Sequence, residues 1–246
     1  MTPPVFICDQ AALARDRITL TGAEGRHATT VRRLGPGERV DLTDGVGHLA
    51  RCEVVAARPA AGELDLAVLA RADEPAPRCR LAVIQAILKG ERGELAVELM
   101  TEVGVDEIVP WAAERCVARW QSDREDKALA RWRSTAREAA KQSRRSRFPT
   151  INAQARTADV VARVREAGLA LLLDPQAAEP ITATTFPHNG EIVLIVGPEG
   201  GVSPEESAAL AAAGAVPVRI GPTVLRGSTA GAVAGAIALG GSGRWG

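Results

Sequence analysis

A chain of 246 residues, 46% hydrophobic and 24% charged, is long enough for one large or two unequal globular domains that bury a core without metal or disulfide staples. Thirty basic residues balance thirty acidic ones, so no global charge draws the molecule to nucleic acid, and any such site must come from local clustering. Cys8, Cys52, Cys79 and Cys116 are too scattered for a CxxC or zinc-ribbon pattern, and His27, His48 and His188 show no HExxH spacing, so no metal is assigned.

In chain order, Met1 to Gln10 lacks a basic segment followed by an apolar run, so no secretory signal is expected. A short helix is predicted between Glu24 and Leu34. Arg39 to Thr43 alternates polar and apolar residues, and Asp44-Gly45 follows as a turn signal. His48 to Val55 then reads as a returning strand, and Glu63 to Leu69 alternates again. Ala72-Asp73-Glu74-Pro75-Ala76-Pro77 is rich in proline and acid and reads as a linker. Residues 1–74 therefore form a small, mostly β domain, and residues 75–246 a second one.

After the linker the rhythm changes to alternating strands and helices. Leu81 to Leu88 is a continuous apolar run, as in a strand buried on both faces. A helix over Leu95 to Val103 closes on Gly104, and Glu107 to Trp111 is a short strand. Asp123 to Ser143 is a long helix, and Thr157 to Ala167 is another, ended by Gly168. Strands follow at Leu169 to Leu173 and Ile192 to Val196. Ser203 to Ala213 is a helix, Val216 to Ile220 a strand, and Ser228 to Leu239 a final helix. This alternation predicts an α/β fold: a mostly parallel sheet with helices on its faces. No apolar stretch is both long enough and poor enough in glycine to span a bilayer, so a cytoplasmic protein with no membrane partner is expected.

Parallel sheets bind ligands beyond the C-terminal ends of their strands. Three loops leave such ends: Asp174-Pro175, Gly197-Pro198-Glu199-Gly200-Gly201 and Gly221-Pro222-Thr223. The second is the most informative. Its glycines let the backbone approach a ligand closely, although the same composition also suits a plain tight turn. Ser203, Pro204 and Glu206 predict a capping box that fixes the helix behind it. The loop is no phosphate cradle. It lacks the GxxxxGK[ST] pattern, no GxGxxG is present, and Glu199 would repel a polyphosphate. A phosphate-free cofactor with a positive centre suits it better, and S-adenosylmethionine is one such.

These residues also resemble a family. Ile195-Val196-Gly197-Pro198-Glu199-Gly200-Gly201-Val202-Ser203-Pro204-Glu205-Glu206, followed by Ile220-Gly221-Pro222-Thr223-Val224-Leu225-Arg226, is similar to the RsmE family of SPOUT-superfamily methyltransferases. His27 with Val31-Arg32-Arg33-Leu34, Lys89-Gly90-Glu91-Arg92, Thr101 to Pro110, and Arg131-Trp132 through Arg137 to Ser143 agree in order. The match covers nearly the whole chain. The resemblance implies a PUA-like β-barrel RNA-binding domain followed by a SPOUT domain with a deep trefoil knot, which chain-path rules alone would not suggest. It also implies a homodimer that uses S-adenosylmethionine to methylate N3 of a uridine in the decoding region of 16S rRNA, on the small ribosomal subunit. The alternatives are a related enzyme acting on another RNA such as tRNA, and a non-catalytic RNA-binding factor.

The implied cofactor set follows the three loops: Leu172, Leu173 and Asp174; Val196, Gly197, Pro198, Glu199, Gly200 and Gly201; Ile220, Gly221, Val224, Leu225, Arg226, Ser228, Thr229 and Ala230. Three departures from the family pattern stand out. Gly227-Ser228 replaces a common Thr-Glu, Met100 stands where a lysine is common, and Arg144 where a glycine is common.

Between Arg131 and Arg147 seven basic residues accompany one acid, Glu138. Arg133, Arg137 and Lys141 share one helix face by their spacing. A solvated stripe and a phosphate-binding track both fit that pattern, and the resemblance favours the track. Its expected members are Arg133, Arg137, Lys141, Gln142, Arg144 and Arg145, with Lys89 and Arg92, and with Arg26, His27, Arg32 and Arg33 in the first domain. Trp111, Trp120 and Trp132 lie nearby in sequence and read either as core or as stacking platforms for an unpaired base. For catalysis, Arg226 is the candidate for stabilising a developing uracil anion, although it could instead pair structurally with Glu199. No histidine is well placed as a base, which leaves Glu102 and Glu199.

Overall fold

The computed structural model describes residues 2–120 and 122–246. They divide into two compact units. The first comprises residues up to Ala76 together with Ala140–Phe148, and the second comprises Pro77–Ala139 and Pro149–Gly246.

The first unit begins with β1 (Val5–Ile7), α1 (Gln10–Leu13), β2 (Arg17–Leu20) and α2 (Gly22–Arg26), and continues through β3 (Arg39–Thr43), β4 (His48–Arg58) and β5 (Glu63–Asp73). One five-stranded sheet results, ordered β1-β3-β4-β5-β2, with only the β1–β3 pair parallel. The β4–β5 register slips between Arg51 and Cys52 and again between Val54 and Ala56. Such irregularities bend a strand and raise its twist, and here they help curl the sheet around Phe6, Val40, Leu42, Ala50, Leu64 and Leu66. The predicted short helix continues past α2 as a π-helical turn over His27–Val31.

The linker prediction needs correction. Ala72 and Asp73 belong to β5, which stays paired with β4 as far as His48↔Asp73, and the Glu74 amide donates to the Gly47 carbonyl at 2.8 Å. Pairing partners distant in sequence override local composition there.

The segment Ala140–Phe148 packs into this unit through specific bonds. Gly47 N donates to the Ser146 carbonyl at 3.0 Å, Phe148 N to the Gly45 carbonyl at 2.8 Å, and Thr43 Oγ1 to the Ser146 carbonyl at 3.1 Å. Lys141 Nζ lies 3.0 Å from Glu24 Oε1 with its side chain only 8% exposed. A buried, paired ammonium is not free to meet a phosphate, so Lys141 leaves the expected RNA track. Lys141→Ala should therefore cost about 1–3 kcal/mol of stability by stranding Glu24, and leave the salt dependence of RNA binding unchanged. Urea unfolding and binding titrations measure the two effects.

Arg144 has φ 60, in the left-handed region that favours glycine. Arg144→Gly should raise stability by about 0.5–1 kcal/mol, the relieved strain exceeding the glycine entropy cost. Urea unfolding checks the sign.

The second unit runs β6 (Cys79–Ala86), α3 (Arg92–Val103), β7 (Glu107–Trp111), α4 (Ser122–Gln142), β8 (Thr150–Ile151), α5 (Thr157–Glu166), β9 (Leu169–Leu173), β10 (Gly190–Val196), α6 (Pro204–Ala212), β11 (Val216–Val218) and α7 (Gly227–Gly241). The last residues of α4 fall in the first unit. Six strands pair all-parallel in the order β11-β9-β10-β6-β7-β8.

Alternation along each strand divides the core into two layers. Leu81 and Val83 of β6, Leu171 of β9, and Ile192, Leu194 and Val196 of β10 meet residues of α3, α4 and α7 on one face. Ala82, Ile84, Ala170, Leu172, Val193 and Ile195 meet α5 and α6 on the other. The predicted α/β sheet with helices on both faces is thus present. From β10 the chain crosses to β11 at the sheet edge and returns to lay α7 on β10 and β6.

Local chemistry explains most boundaries. Gly104 at φ 110 closes α3 with its amide on the Met100 carbonyl at 3.2 Å. Met100 itself is fully buried in the core, which explains why an apolar side chain serves at that position. Glu107 is buried between Arg80 at 2.9 Å, Arg163 at 3.0 Å and the Asn152 amide at 2.6 Å, so this polar network is fully partnered and structural.

Trp111 and Trp132 are buried, and Trp120 meets Trp132 edge-on at 5.1 Å, so this group belongs to the core. The four cysteines are free thiols, and burial pushes Cys8 up to about 12 and Cys52 up to about 11, which favours the unreactive thiol form.

Candidate active site

Register places the three loop-bearing strands abreast. Val196 of β10 aligns with Leu173 of β9, and Val218 of β11 aligns with the same Leu173. All three run parallel, so their loops leave the same edge of the sheet. A cavity of about 820 Å³ opens there, lined by each loop in turn. That size suits a small-molecule ligand.

The glycine-rich loop is held firmly. Gly201 N donates to the Pro198 carbonyl at 2.9 Å, and Gly201 takes φ 75. The predicted capping box forms: the Glu206 amide donates to Ser203 Oγ, and the Ser203 amide to Glu206 Oε2. Glu206 is only 6% exposed, and its other oxygen accepts from the Glu114 amide at 2.9 Å and from Thr157 Oγ1 at 2.7 Å. One carboxylate thus fixes the start of α6 to the segment after β7 and to the first residue of α5.

The glycines act differently from one another. A Cβ at Gly200 would lie 3.1 Å from the Arg115 carbonyl oxygen, against backbone. A Cβ at Gly197 would lie 2.7 Å from Val202 Cγ2. Gly201 and Gly221 have open space on that side and line the cavity, so the backbone there admits close approach.

Of the expected cofactor residues, the structure gathers Leu172, Leu173, Asp174, Val196 to Gly201, Ile220, Gly221, Val224, Leu225, Arg226 and Ala230 around this cavity. It does not bring Ser228 or Thr229 to the lining. Ser228 is buried under the first turn of α7, and the Thr229 hydroxyl donates to the Arg226 carbonyl at 3.1 Å. Glu102 is also outside the lining, on the solvent face of α3 one position past the buried Thr101. A Cβ at Gly227 would lie 2.9 Å from Leu88 Cδ2, so the glycine leaves room for that side chain.

The charged groups of the cavity separate into paired and unpaired. Glu199 Oε1 accepts from the Lys89 amide at 3.2 Å and stands 3.7 Å from Arg92 Nη1. The structural partner of Glu199 is therefore Arg92, not Arg226. Arg226 is the N-cap residue of α7 and is exposed, and among the described residues its guanidinium makes no hydrogen bond or ion pair that would hold it away from a ligand. Asp174 Oδ1 accepts from the Gln176 amide at 2.8 Å, which leaves its second oxygen for a ligand. Sequence reasoning missed Arg115. It reaches the cavity from the loop after β7, a strand end whose loop carries no glycine signal.

The residues expected to meet RNA lie in both units. Arg26, Arg32, Arg33, Gln142 and Arg144 are exposed on the first unit. His27 is half-buried, edge-on to Phe6 at 5.9 Å, and Arg145 is half-buried with its Nε on the Arg147 carbonyl at 2.8 Å. On the second unit Lys89, Arg92, Arg133 and Arg137 are exposed. Among the described residues no group of three or more His, Cys, Asp or Glu side chains is arranged to hold a metal.

A parallel α/β sheet with a cavity at the ends of its strands is a layout that binds small ligands, and comparisons with known proteins give the class. Residues 74–239 match the RNA methyltransferase domain family, and residues 20–60 match the RNA methyltransferase PUA domain family. The chain is 52% identical over 223 residues to the ribosomal RNA small subunit methyltransferase E of Mycobacterium tuberculosis, covering 89% of this chain and 84% of that protein. It is 23% identical over 219 residues to the Bacillus subtilis protein of the same name, covering 86% of this chain and 85% of that one. Among solved structures, the Neisseria gonorrhoeae ribosomal RNA small subunit methyltransferase E bound to S-adenosyl methionine superposes with a TM-score of 0.85 at 25% identity, covering 97% of this chain and 98% of that one. The chain belongs to the ribosomal RNA small subunit methyltransferase E family.

Proposed function

We propose that this protein transfers a methyl group from S-adenosylmethionine to N3 of a uridine in the decoding region of 16S rRNA, on the small ribosomal subunit. The observation that carries the reading is the cavity at the ends of β9, β10 and β11. It has no phosphate cradle, it offers carboxylates at Asp174 and Glu199, and it carries the unpaired guanidinium of Arg226.

The residues present fit the cofactor. Leu172, Val196, Ile220 and Leu225 offer apolar surface for an adenine, Gly221 admits close approach, and the second oxygen of Asp174 can accept from a hydroxyl or an amine. When bound, S-adenosylmethionine supplies an electrophilic methyl group. The protein must hold the uracil in line with it and offset the negative charge that develops as the N3 proton leaves. We assign the offsetting of that charge to Arg226 at the α7 N-terminus, where the positive end of the helix dipole acts in the same sense. Of the two candidate bases, Glu199 lines the cavity and Glu102 does not.

A homodimer in the cytoplasm completes the reading. The packed pair α3 and α7 carries exposed Leu95 and Val233, with half-buried Leu99 and Ile237 one turn on, an apolar face of the kind that subunits bury. Among the described residues no helix is long and apolar enough to cross a membrane.

The direct test of the cofactor is a thermal shift. S-adenosylmethionine at a hundredfold excess over its Kd should stabilise the native state by about 2.7 kcal/mol and raise Tm accordingly. An unchanged Tm, with no heat of binding by calorimetry, would refute the cofactor and leave an RNA-binding factor.

A further inference from the structure

We propose that Arg115 is a substrate-positioning residue that grips a backbone phosphate of the target nucleotide at the mouth of the cavity. This rests on the methyltransferase reading above and adds a residue that neither the glycine-rich loops nor the basic helix point to.

The placement of Arg115 is fixed through its backbone. The amide of the preceding residue, Glu114, donates to Glu206 Oε1 at 2.9 Å, and Glu206 is the carboxylate that caps α6. The Arg115 carbonyl lies so close to Gly200 that an added Cβ there would stand 3.1 Å away. Cys116 N donates to the Ala113 carbonyl at 3.1 Å, and Cys116 is buried, so the turn is anchored on both sides of Arg115. A flexible side chain therefore leaves a rigid base beside the glycine-rich loop.

Arg115 lines the cavity and is exposed, and among the described residues its guanidinium makes no hydrogen bond or ion pair. The third arginine of the lining, Arg92, is already occupied by Glu199 at 3.7 Å. Two unpaired guanidiniums thus serve the cavity from different elements, Arg226 at the start of α7 and Arg115 after β7. A nucleotide drawn out of its stack for chemistry on its base presents two anionic features: charge developing on the ring and fixed charge on the phosphate. Arg226 takes the first in the reading above. Arg115, carried at the rim, is left for the second, and a planar guanidinium suits bidentate contact with phosphate oxygens. The acids near it do not cancel it. Glu199 is held by Arg92, and Glu206 is buried with its bonds satisfied. Glu114 is exposed and adjacent, and its carbonyl accepts from Arg119 Nη2 at 3.3 Å, which holds a second cation beside the same turn. The other oxyanion that could reach Arg115 is the carboxylate of the cofactor, and the experiment separates the two.

Arg115→Ala and Arg115→Lys are compared with the wild type in two titrations. The first uses small ribosomal subunits from a strain lacking the enzyme, over a range of salt concentrations. The second uses S-adenosylmethionine alone, by calorimetry. Arg115→Ala should weaken subunit binding about tenfold and lower the log–log salt slope by about one, with cofactor affinity within about twofold of wild type. Arg115→Lys should keep the slope and recover part of the affinity, because it keeps the charge but not the fork. Weakened cofactor binding with unchanged subunit binding would overturn the proposal in favour of the carboxylate. Unchanged values in both titrations would overturn it outright. A wild-type protein that binds subunits but not the cofactor would instead contradict the methyltransferase reading, and the subunit arm would still decide the role of Arg115.

Discussion

Arg226→Ala should lower the rate of methyl transfer by about 10²-fold or more while S-adenosylmethionine binds as before. The structural grounds are specific. Arg226 lies at the edge of the cavity as the N-cap of α7, is exposed, and makes no ion pair with Glu199, whose partner is Arg92. A structural arginine would reveal itself by a fall in Tm on removal, and this one should not. Single-turnover rates at saturating cofactor measure the effect on chemistry, and calorimetry with the cofactor is the control. Near-wild-type turnover would remove Arg226 from the mechanism. A tenfold or greater loss of cofactor affinity would reassign it to cofactor binding.

Gly200→Val should weaken cofactor binding by displacing the loop rather than by filling the cavity. The new Cβ would meet the Arg115 carbonyl at 3.1 Å and the Arg115 Cβ at 3.3 Å, and backbone held on both sides yields little. The glycine-rich loop must then move instead, and it carries both Glu199 and the approach to α6. A loss of at least tenfold in cofactor affinity, or about 1.4 kcal/mol, is expected, and the cofactor should raise Tm less than it does in the wild type. Gly201→Ala is the informative comparison. It strains the turn because of φ 75 but meets no neighbour within 4 Å, so its cost should appear in stability rather than in binding. Equal cofactor affinity in Gly200→Val and wild type would show that the loop can adapt.

Much of the second unit was legible because local signals and tertiary context agree there. Leu169–Leu173 and Glu107–Trp111 match the predicted strands residue for residue, and the Ser203–Glu206 box sets the start of α6 as its composition suggests. The cavity followed from the same logic, since the ends of parallel strands and the glycine loops are visible in the chain. The first unit was less legible. β1 is only three residues long and β8, in the second unit, only two, too short for any periodicity to register. The end of β5 was hidden by acidic and proline-rich composition.

Contacts between residues far apart in the chain were out of reach altogether. Helical spacing placed Lys141 with Arg133 and Arg137 on one charged face, but nothing local announces Glu24, 117 positions away. Arg115 was missed for the same reason, because only the meeting of Glu114 with Glu206, 92 positions apart, sets it beside the cavity. The segment Ala140–Phe148 likewise joins the first unit through partners near Thr43 and Gly47.

The central claim is the reaction itself. Small ribosomal subunits from a strain lacking this protein, incubated with it and S-adenosylmethionine and then mapped by mass spectrometry, test that claim most directly. The account predicts a single new methyl group at N3 of one uridine in the decoding region of 16S rRNA, greatly reduced with Arg226→Ala. A methyl group at another atom or on tRNA, or none on the small-subunit RNA despite measured cofactor binding, would contradict it.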